Sequence, residues 1–288
     1  MSKTLFFKEV NLGKISLKNP VIAASGTFGY GKEFMRFFDI NRLGGLVTKT
    51  ITLNPREGNK PPRIYDLGFG VVNSIGLENP GVERFKQEYI DFLSSLETRV
   101  FLSIYGKSLE EWEKLVGCLD NEGIAGFELN FSCPNVEGEI VSYNEKEMVR
   151  ITSRLRKLTK KFLIIKLSFS PFLVRNVLSL QKAGADAVTL INTIPALAIE
   201  RQETKFALGE VKGGLSGGCL KPIALRCVYE VSQAITIPVI GCGGVQSYKD
   251  VVEYLFCGAK AVQVGTANLV NPQVCEEIIN EGERLGWQ

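Results

Sequence analysis

The sequence contains no histidine among its 288 residues. This absence excludes Ser-His-Asp hydrolysis, histidine metal sites and histidine proton shuttling. Any acid–base chemistry therefore falls to Cys, Lys, Asp, Glu or Tyr side chains. The seven cysteines include no C-x-x-C pair, so the pattern indicates neither an iron–sulfur cluster nor a zinc site, and we expect no metal.

Long apolar runs are missing as well. No segment offers about 18 uninterrupted apolar residues, and the first residues hold no apolar stretch of signal-peptide length. The net charge of +3 gives no strong reason to propose binding to nucleic acid or to a membrane surface. We therefore expect a cytoplasmic protein. The length and the lack of linker-like stretches predict one domain over residues 1–288.

Short apolar runs rich in β-branched residues recur along the chain, with helical patterns between them. The predicted strands are Val21 to Ala24, Gly45 to Lys49, Val100 to Ile104, Phe127 to Phe131, Leu163 to Leu167, Ala187 to Ile191, Val239 to Cys242 and Ala261 to Val264. Repeated βα units of this size predict an α/β fold, the single-domain (β/α)8 TIM barrel. A doubly wound sheet is the alternative, although such sheets seldom need eight regular repeats.

Helix ends are predicted from capping residues and from two glycines. Three pairs fit an N-cap with an acidic partner three positions on: Ser108 with Glu111, Asn144 with Glu147, and Ser247 with Asp250. Pro171 and Pro222 suit first helical positions. Gly184 and Gly258 begin two Gly-Ala-x-Ala-Val runs, where glycine would end a helix. Two long segments, 54–78 and 196–221, are predicted to be functional loops that cover a site.

In a barrel, the residues at the strands' carboxyl ends converge on one mouth. The sequence places there Ser25, Gly26, Thr48, Lys49, Thr50, Ser103, Asn130, Cys133, Lys166, Asn192, Thr193, Gly243, Gly244, Gly265 and Thr266. This predicted mouth is polar, with two lysines and almost no acid.

Glycines and lysines are the most informative residues of this mouth. Gly243, Gly244 and Gly265 would leave backbone N–H groups free for a phosphate, although plain turns are the alternative. Lys49 and Lys166 each end an apolar strand, where an unpaired ammonium is costly to bury. They either extend to solvent or bind an anion such as a flavin ring or a substrate carboxylate.

Cys133 follows the alternating stretch that begins at Phe127, and Pro134 ends that strand. A position between a strand end and a proline favours an exposed loop. The alternative is a small buried hydrophobic side chain, as expected for most of the other cysteines. An exposed Cys133 is a candidate for acid–base catalysis.

Several motifs in order along nearly the whole chain carry a family resemblance. They span Asn19 to Gly31, Asn73 to Leu77, Asn79 to Gly81, Asn130 to Asn135, Lys166 to Ser168, Asn192 to Thr193, Gly213 to Gly217, Gly241 to Gly244 and Val264 to Asn268. Together they resemble class 1 dihydroorotate dehydrogenases, most closely the class 1B catalytic subunit.

The resemblance implies FMN as cofactor and a set of site residues. Cys133, Lys49 and Lys166 would be catalytic. FMN would bind to Ser25, Gly26, Lys49, Thr50, Asn130, Lys166, Asn192, Gly217, Gly243, Gly244, Gly265 and Thr266. Dihydroorotate would bind to Lys49, Asn73, Ile75, Gly76, Leu77, Asn130, Asn135, Asn192 and Thr193.

The resemblance also implies a reaction and partners. Cys133 would take the C5 proton of (S)-dihydroorotate while a hydride passes from C6 to the flavin, giving orotate for pyrimidine biosynthesis. The segment from Pro134 to Tyr143 would be a lid that excludes water. A homodimer is implied, with a separate subunit that carries FAD and an iron–sulfur cluster and reduces NAD. Class 1A relatives use fumarate instead.

Three positions depart from the class 1B pattern: Ser103 replaces a common asparagine, Ala196 replaces a glycine, and the loop after Val136 is shorter. Other functions remain open. One is another flavin-dependent pyrimidine oxidoreductase, and another is a barrel lyase with Lys166 or Lys49 as Schiff-base nucleophile. A paralogue that binds flavin without turnover is the third.

Overall fold

A closed barrel of eight parallel strands forms the centre of the protein in the computed structural model, which describes residues 9–120, 123–132, 144–200 and 202–287. The strands are β1 (Val21–Ala23), β2 (Gly45–Val47), β3 (Arg99–Ile104), β4 (Gly126–Asn130), β5 (Phe162–Leu167), β6 (Ala187–Leu190), β7 (Val239–Cys242) and β8 (Ala261–Val264). All neighbours pair in parallel, and β8 pairs with β1 to close the ring. The predicted TIM barrel is confirmed, and the doubly wound alternative is wrong.

Helices cover the outside of the barrel. They are α1 (Val82–Ser94), α2 (Leu109–Leu119), α3 (Glu145–Leu158), α4 (Leu173–Lys182), α5 (Lys221–Ser232), α6 (Tyr248–Phe256), α7 (Ala267–Val270) and α8 (Val274–Leu285). The connection from β1 to β2 contains two 3-10 turns, Lys32–Phe34 and Ile40–Arg42, in place of an α-helix. Within the described ranges, no helix has both the length and the apolar character needed to cross a membrane.

The predicted helix caps are confirmed by hydrogen bonds. The side-chain oxygens of Ser108, Asn144 and Ser247 each accept a hydrogen bond from the amide three residues on, at 3.3, 3.1 and 3.4 Å. Gly184 and Gly258 follow α4 and α6 with φ of +101° and +99°, a conformation that favours glycine.

The two predicted helix-starting prolines differ in outcome. Pro222 lies in the first turn of α5, as predicted. The position predicted for Pro171 is wrong, because α4 begins at Leu173 and Pro171 lies in the turn before it. Its fixed φ is equally compatible with a turn, so the residue type alone does not distinguish the two.

Strand alternation decides which side chains reach the interior of the barrel. On β4, Phe127 and Leu129 pack in the large core between barrel and helices, so Glu128 and Asn130 point to the opposite side. On β5, Ile164 belongs to the cluster inside the barrel, and Lys166 lies two residues on, on the same face. Polar side chains therefore occupy the upper interior.

A short hairpin closes the lower end of the barrel. Its strands, Val10–Asn11 and Ser16–Leu17, pair antiparallel. Leu12 and Leu17 are buried against inward-facing residues of the barrel strands, including Phe101. The apolar lower interior leaves the opposite, carboxyl end as the polar mouth.

The two segments predicted to be long loops contain three strands of a small four-stranded sheet, and the fourth strand ends where the second segment begins. Ile194–Ala196, Gly213–Ser216, Val71–Asn73 and Ile64–Asp66 pair antiparallel in that order, and Ile199–Glu200 pairs with Lys205–Phe206. These strands are very short, and the central pair joins segments far apart in sequence. Local patterns do not reveal such pairing, because it is stabilised only after the barrel brings the segments together.

An ion pair joins the starts of α5 and α6. Lys221 Nζ lies 2.6 Å from Asp250 Oδ1 and 2.9 Å from Glu253 Oε2. Asp250 also accepts hydrogen bonds from the Gln246 amide and the Ser247 hydroxyl, both at 2.9 Å. Burial raises the pKa of Asp250, but these donors outweigh it, so the pKa lies below its usual value.

The variant Asp250→Asn should therefore be less stable. We expect the free energy of unfolding, measured in urea, to fall by about 1–3 kcal/mol at neutral pH, since buried donors lose a charged acceptor. Because the pKa of Asp250 is lowered in the folded state, its stabilising effect is complete above the pKa of an unfolded aspartate, about 4. It should be lost as pH falls through the folded value.

Glu230→Gln provides the control. Glu230 pairs with Arg226 on the exposed side of α5, with 46% of its own side chain accessible, so the change in stability should stay within about 0.5 kcal/mol. If the stability loss in Asp250→Asn did not diminish at acid pH, the ionised Asp250 carboxylate would not be the source of the stabilisation.

Candidate active site

A cleft opens at the carboxyl ends of the barrel strands. Its empty volume is about 1250 Å³, including space that is open to solvent. Residues that follow β1, β2, β6, β7 and β8 line it together with the ends of β4, β5 and β7. The small antiparallel sheet supplies one wall through Ile64, Val71, Asn73 and Ser216. Because several strand ends converge on it, this concave cleft is the candidate ligand site.

Every described residue that was predicted to be catalytic or to bind cofactor or substrate lines this one cleft, whereas Thr48 and Ser103 of the predicted mouth are buried and do not line it. The predicted residues that line it are Ser25, Gly26, Lys49, Thr50, Asn73, Ile75, Gly76, Leu77, Asn130, Lys166, Asn192, Thr193, Gly217, Gly243, Gly244, Gly265 and Thr266. Cys133, Asn135 and the predicted lid from Pro134 to Tyr143 lie outside the described residues. The sequence-based set therefore forms one site wherever it can be located.

A hydrogen-bonded cluster of polar side chains forms the floor of the cleft. Asn130 Nδ2 donates to Thr50 Oγ1 at 3.1 Å. Asn192 Nδ2 donates to Ser132 Oγ at 2.8 Å and lies 3.4 Å from Asn130 Oδ1. Ser132 Oγ in turn donates to the carbonyl of Lys166 at 3.2 Å. These bonds hold the asparagine amides in one orientation, which prepares them to bind a flat polar ring.

Lys166 is the buried lysine of the cleft. Its Nζ donates to Gln263 Oε1 at 2.8 Å and lies 3.5 Å from Glu128 Oε1. Glu128 also accepts hydrogen bonds from Gln263 and, at 3.0 Å, from Thr189 Oγ1.

The charge state of Lys166 follows from this surrounding. Burial lowers its pKa, but attraction to the Glu128 carboxylate outweighs burial, so the pKa lies above its usual value. Burial raises the pKa of the Cys242 thiol, although Lys166 opposes the change. Lys166 is therefore a fixed cation beside the cleft, and Cys242 stays a neutral thiol.

Lys49 lies at the rim of the cleft and is more exposed than Lys166. One quarter of its side chain is accessible, and its Nζ lies 3.5 Å from Glu78 Oε2. Its backbone amide donates to the Gly29 carbonyl at 2.8 Å. Lys49 and Lys166 are the charged residues of the lining, and no carboxylate lines the cleft within the described part of the chain. The cleft therefore favours an anionic or electron-rich ligand.

Glycine turns form the end of the cleft after β7 and β8. Gly243 and Gly244 have φ of +128° and +69°, in the region that favours glycine. A Cβ on Gly244 would lie only 2.9 Å from the Gly217 carbonyl oxygen and from Lys221 Cβ. A Cβ on Gly265 would meet nothing closer than Ala24 Cβ at 3.6 Å. The backbone is thus bare where a phosphate is predicted.

Two of the three departures from the class 1B pattern can be located. Ser103 is fully buried and its hydroxyl lies 2.9 Å from Thr50 Oγ1, so it supports the floor of the cleft without lining it. Ala196 pairs with Gly213 in the small sheet. The loop after Val136 lies outside the described residues.

Several residues of the site were missed by sequence reasoning. Glu128, Thr189 and Gln263 hold Lys166, and Cys242, Val71 and Ser216 line the cleft. Glu128 had a usable signal, because an acidic residue inside an apolar strand needs a partner as much as Lys166 does. Val71 had none, since its small sheet was not predicted, and Ser216 lies within the Gly213 to Gly217 motif but was not singled out.

Comparison with known proteins identifies the family of the chain. The family model described as dihydroorotate dehydrogenase matches residues 8–285. A dihydroorotate dehydrogenase B (NAD(+)) catalytic subunit from Petrotoga mobilis is 48% identical, over 94% of this chain and 91% of the relative. Catalytic subunits of the same name from Thermodesulfovibrio yellowstonii and Thermoanaerobacter pseudethanolicus are 46% and 44% identical, with the same coverage. The chain belongs to the dihydroorotate dehydrogenase family.

Proposed function

We propose that this chain oxidises (S)-dihydroorotate to orotate in pyrimidine biosynthesis, with FMN as the cofactor. Two lysines and the amides of Asn73, Asn130 and Asn192 share one cleft with bare glycine turns, and this combination carries the proposal. Amides offer both donors and acceptors to a pyrimidine ring, and the lysines offer positive charge to a carboxylate and a flavin.

The residues that are present fit FMN. The turns at Gly243, Gly244 and Gly265 would hold the phosphate, because their backbone is accessible there without a Cβ. Lys166 would lie beside the flavin ring as a cation, and Ser25, Thr50 and Asn130 would contact the ring. When bound, the cofactor supplies a two-electron acceptor for the hydride at C6 of the substrate.

The proton at C5 needs a base from the protein. Cys133 follows Ser132, which ends the hydrogen-bonded floor of the cleft. The Cys133 thiolate would take the C5 proton as the C6 hydride leaves, so that a C5–C6 double bond forms and orotate results. An unperturbed thiol has a pKa of about 8.5, so the rate should rise with pH through the neutral range.

The lyase alternative with Lys166 as the nucleophile is disfavoured by the surroundings of that lysine. A Schiff-base lysine needs a lowered pKa so that a neutral amine can attack a carbonyl. Lys166 instead has a raised pKa beside Glu128. Its positive charge suits an electrostatic role.

Electrons must leave the reduced cofactor, and the relatives' names indicate a route. Those relatives are named as NAD(+) catalytic subunits. We therefore propose that a separate subunit with FAD and an iron–sulfur cluster passes electrons from this chain to NAD. A homodimer of this chain, its single domain over residues 1–288 and a cytoplasmic location are part of the same proposal.

The first test concerns Cys133. The purified chain with FMN should lose its flavin absorbance near 450 nm, about the usual flavin maximum, when dihydroorotate is added without oxygen. Cys133→Ala should slow this bleaching by about 100-fold or more, because general-base catalysis is lost, and should leave FMN bound. Stopped-flow absorbance measures both.

Cys118→Ala is the matched control, since Cys118 lies on α2 away from the cleft. It should bleach at the rate of the unchanged chain. Equal rates for Cys133→Ala and the unchanged chain would exclude Cys133 as the base. Bound flavin that dihydroorotate never bleaches would exclude the proposed reaction.

The second test concerns the glycine turns. Gly244→Ala should weaken FMN binding by at least about tenfold, because its Cβ would press on the Gly217 carbonyl and Lys221 and distort the turn. Fluorescence titration of the chain with FMN measures this affinity. Gly13→Ala shares the positive φ, yet its Cβ would meet nothing within 4 Å. It should lose some stability and keep FMN affinity. Equal losses of affinity would contradict the phosphate site.

A further inference from the structure

Three charged side chains form what we call the rim triad: Lys49, Glu78 and Arg63. Glu78 Oε2 lies 3.5 Å from Lys49 Nζ and 3.0 Å from Arg63 NH1. Lys49 lines the cleft, whereas Glu78 does not, and 48% of the Glu78 side chain is accessible. An acidic group thus stands just outside the cleft, in contact with the more exposed of its two lysines.

The rim triad is held in place from the Arg63 side. Arg63 Nε donates to the Asn59 carbonyl, and Arg63 NH2 donates to the Glu57 carbonyl at 2.8 Å. With these two nitrogens bound to backbone, NH1 remains for Glu78. Arg63 therefore presents a fixed cation that shares the Glu78 carboxylate with Lys49 and weakens the hold of Glu78 on that lysine.

The backbone beside Glu78 is held just as firmly. Asn79 is buried, and its Nδ2 donates to the Leu77 carbonyl at 2.7 Å and to Thr52 Oγ1 at 2.8 Å. Its Oδ1 accepts from the Gly81 amide at 2.9 Å. Anchoring the neighbouring residues limits where the Glu78 side chain can go. Glu78 lies within reach of both Lys49 and Arg63.

The two lysines of the cleft differ in what a ligand must displace. Lys166 is paired with Glu128 inside the barrel, where neither charge meets solvent. Lys49 is partly exposed and pairs with a carboxylate at the rim. A ligand carboxylate that binds Lys49 therefore competes with Glu78 for the same ammonium group, and its charge is repelled by Glu78.

We propose that Glu78 is a specificity-determining residue that competes with the carboxylate of the substrate or product for Lys49. This inference rests on the proposed function, because it takes a pyrimidine carboxylate as the ligand. Glu78 weakens the binding of anionic pyrimidines and leaves neutral pyrimidines without a carboxylate unaffected. It thereby favours release of the carboxylate product.

The test compares orotate binding to the FMN-loaded chain and to its Glu78→Gln variant. Orotate binding is measured by calorimetry and by the change in flavin absorbance. Glu78→Gln should lower the Kd for orotate about fivefold at low salt, the upper range for an exposed ion pair. This gain in orotate affinity should shrink in about 0.5 M salt, because dissolved ions then screen the interaction between charges more strongly.

Two controls isolate the charge at residue 78. Glu57→Gln removes an exposed carboxylate of the same segment whose backbone carbonyl, not its side chain, contacts Arg63, and it should leave the Kd for orotate unchanged. Uracil serves as the neutral probe, and its affinity should be the same in the unchanged chain and in Glu78→Gln. A gain for uracil equal to that for orotate would overturn the proposal.

For a second variant, Arg63→Gln, we expect the Kd for orotate to change in the opposite direction. Arg63→Gln leaves Lys49 as the cation of the triad that holds Glu78, so the Kd for orotate should rise. In the double variant with Glu78→Gln, the effect of removing Arg63 should be smaller, because the competing carboxylate is absent. Additive effects of the two changes would contradict the proposed competition.

Failure of the inference is distinguishable from failure of the proposed function. If the unchanged chain binds orotate and Glu78→Gln binds it equally or more weakly, the competition is excluded and the proposed function stands. If the unchanged FMN-loaded chain does not bind orotate at all, the proposed function fails, and this inference fails with it.

Discussion

Closure of the parallel barrel is the constraint on which the site depends. Each strand ends at the same mouth, so residues that are distant in sequence, such as Ser25, Lys166 and Thr266, line one cleft. The lower interior is apolar and is covered by the amino-terminal hairpin. The mouth at the opposite end is therefore where the fold can place polar chemistry without losing its core.

The polar upper interior is stabilised by mutual pairing. Lys166 and Glu128 are both buried and would each be costly alone, but together with Gln263 and Thr189 they satisfy most of one another's hydrogen-bonding groups. The same pairing keeps Lys166 charged. A buried network that would be costly elsewhere thus provides a fixed positive charge at the floor of the cleft.

Under the proposed function, the two lysines of the cleft would contact different ligands. Lys166 is buried with a permanent partner, as suits contact with a cofactor that remains bound. Lys49 is partly exposed and pairs with Glu78 at the rim, as suits contact with a substrate that enters and leaves. Exchange of ion-pair partners is far less costly at an exposed position, because solvent stabilises the separated charges.

The sequence by itself determined the barrel and most of the cleft lining. Strand alternation, capping residues such as Ser108 and the polar residues after each strand are local signals, and the parallel fold turns strand ends into neighbours. Only the tertiary structure decided the small antiparallel sheet, the partners of Lys166 and the contact between Lys49 and Glu78. Each of these joins side chains or strands across folded space, where geometry and burial select the partner and no local period records it.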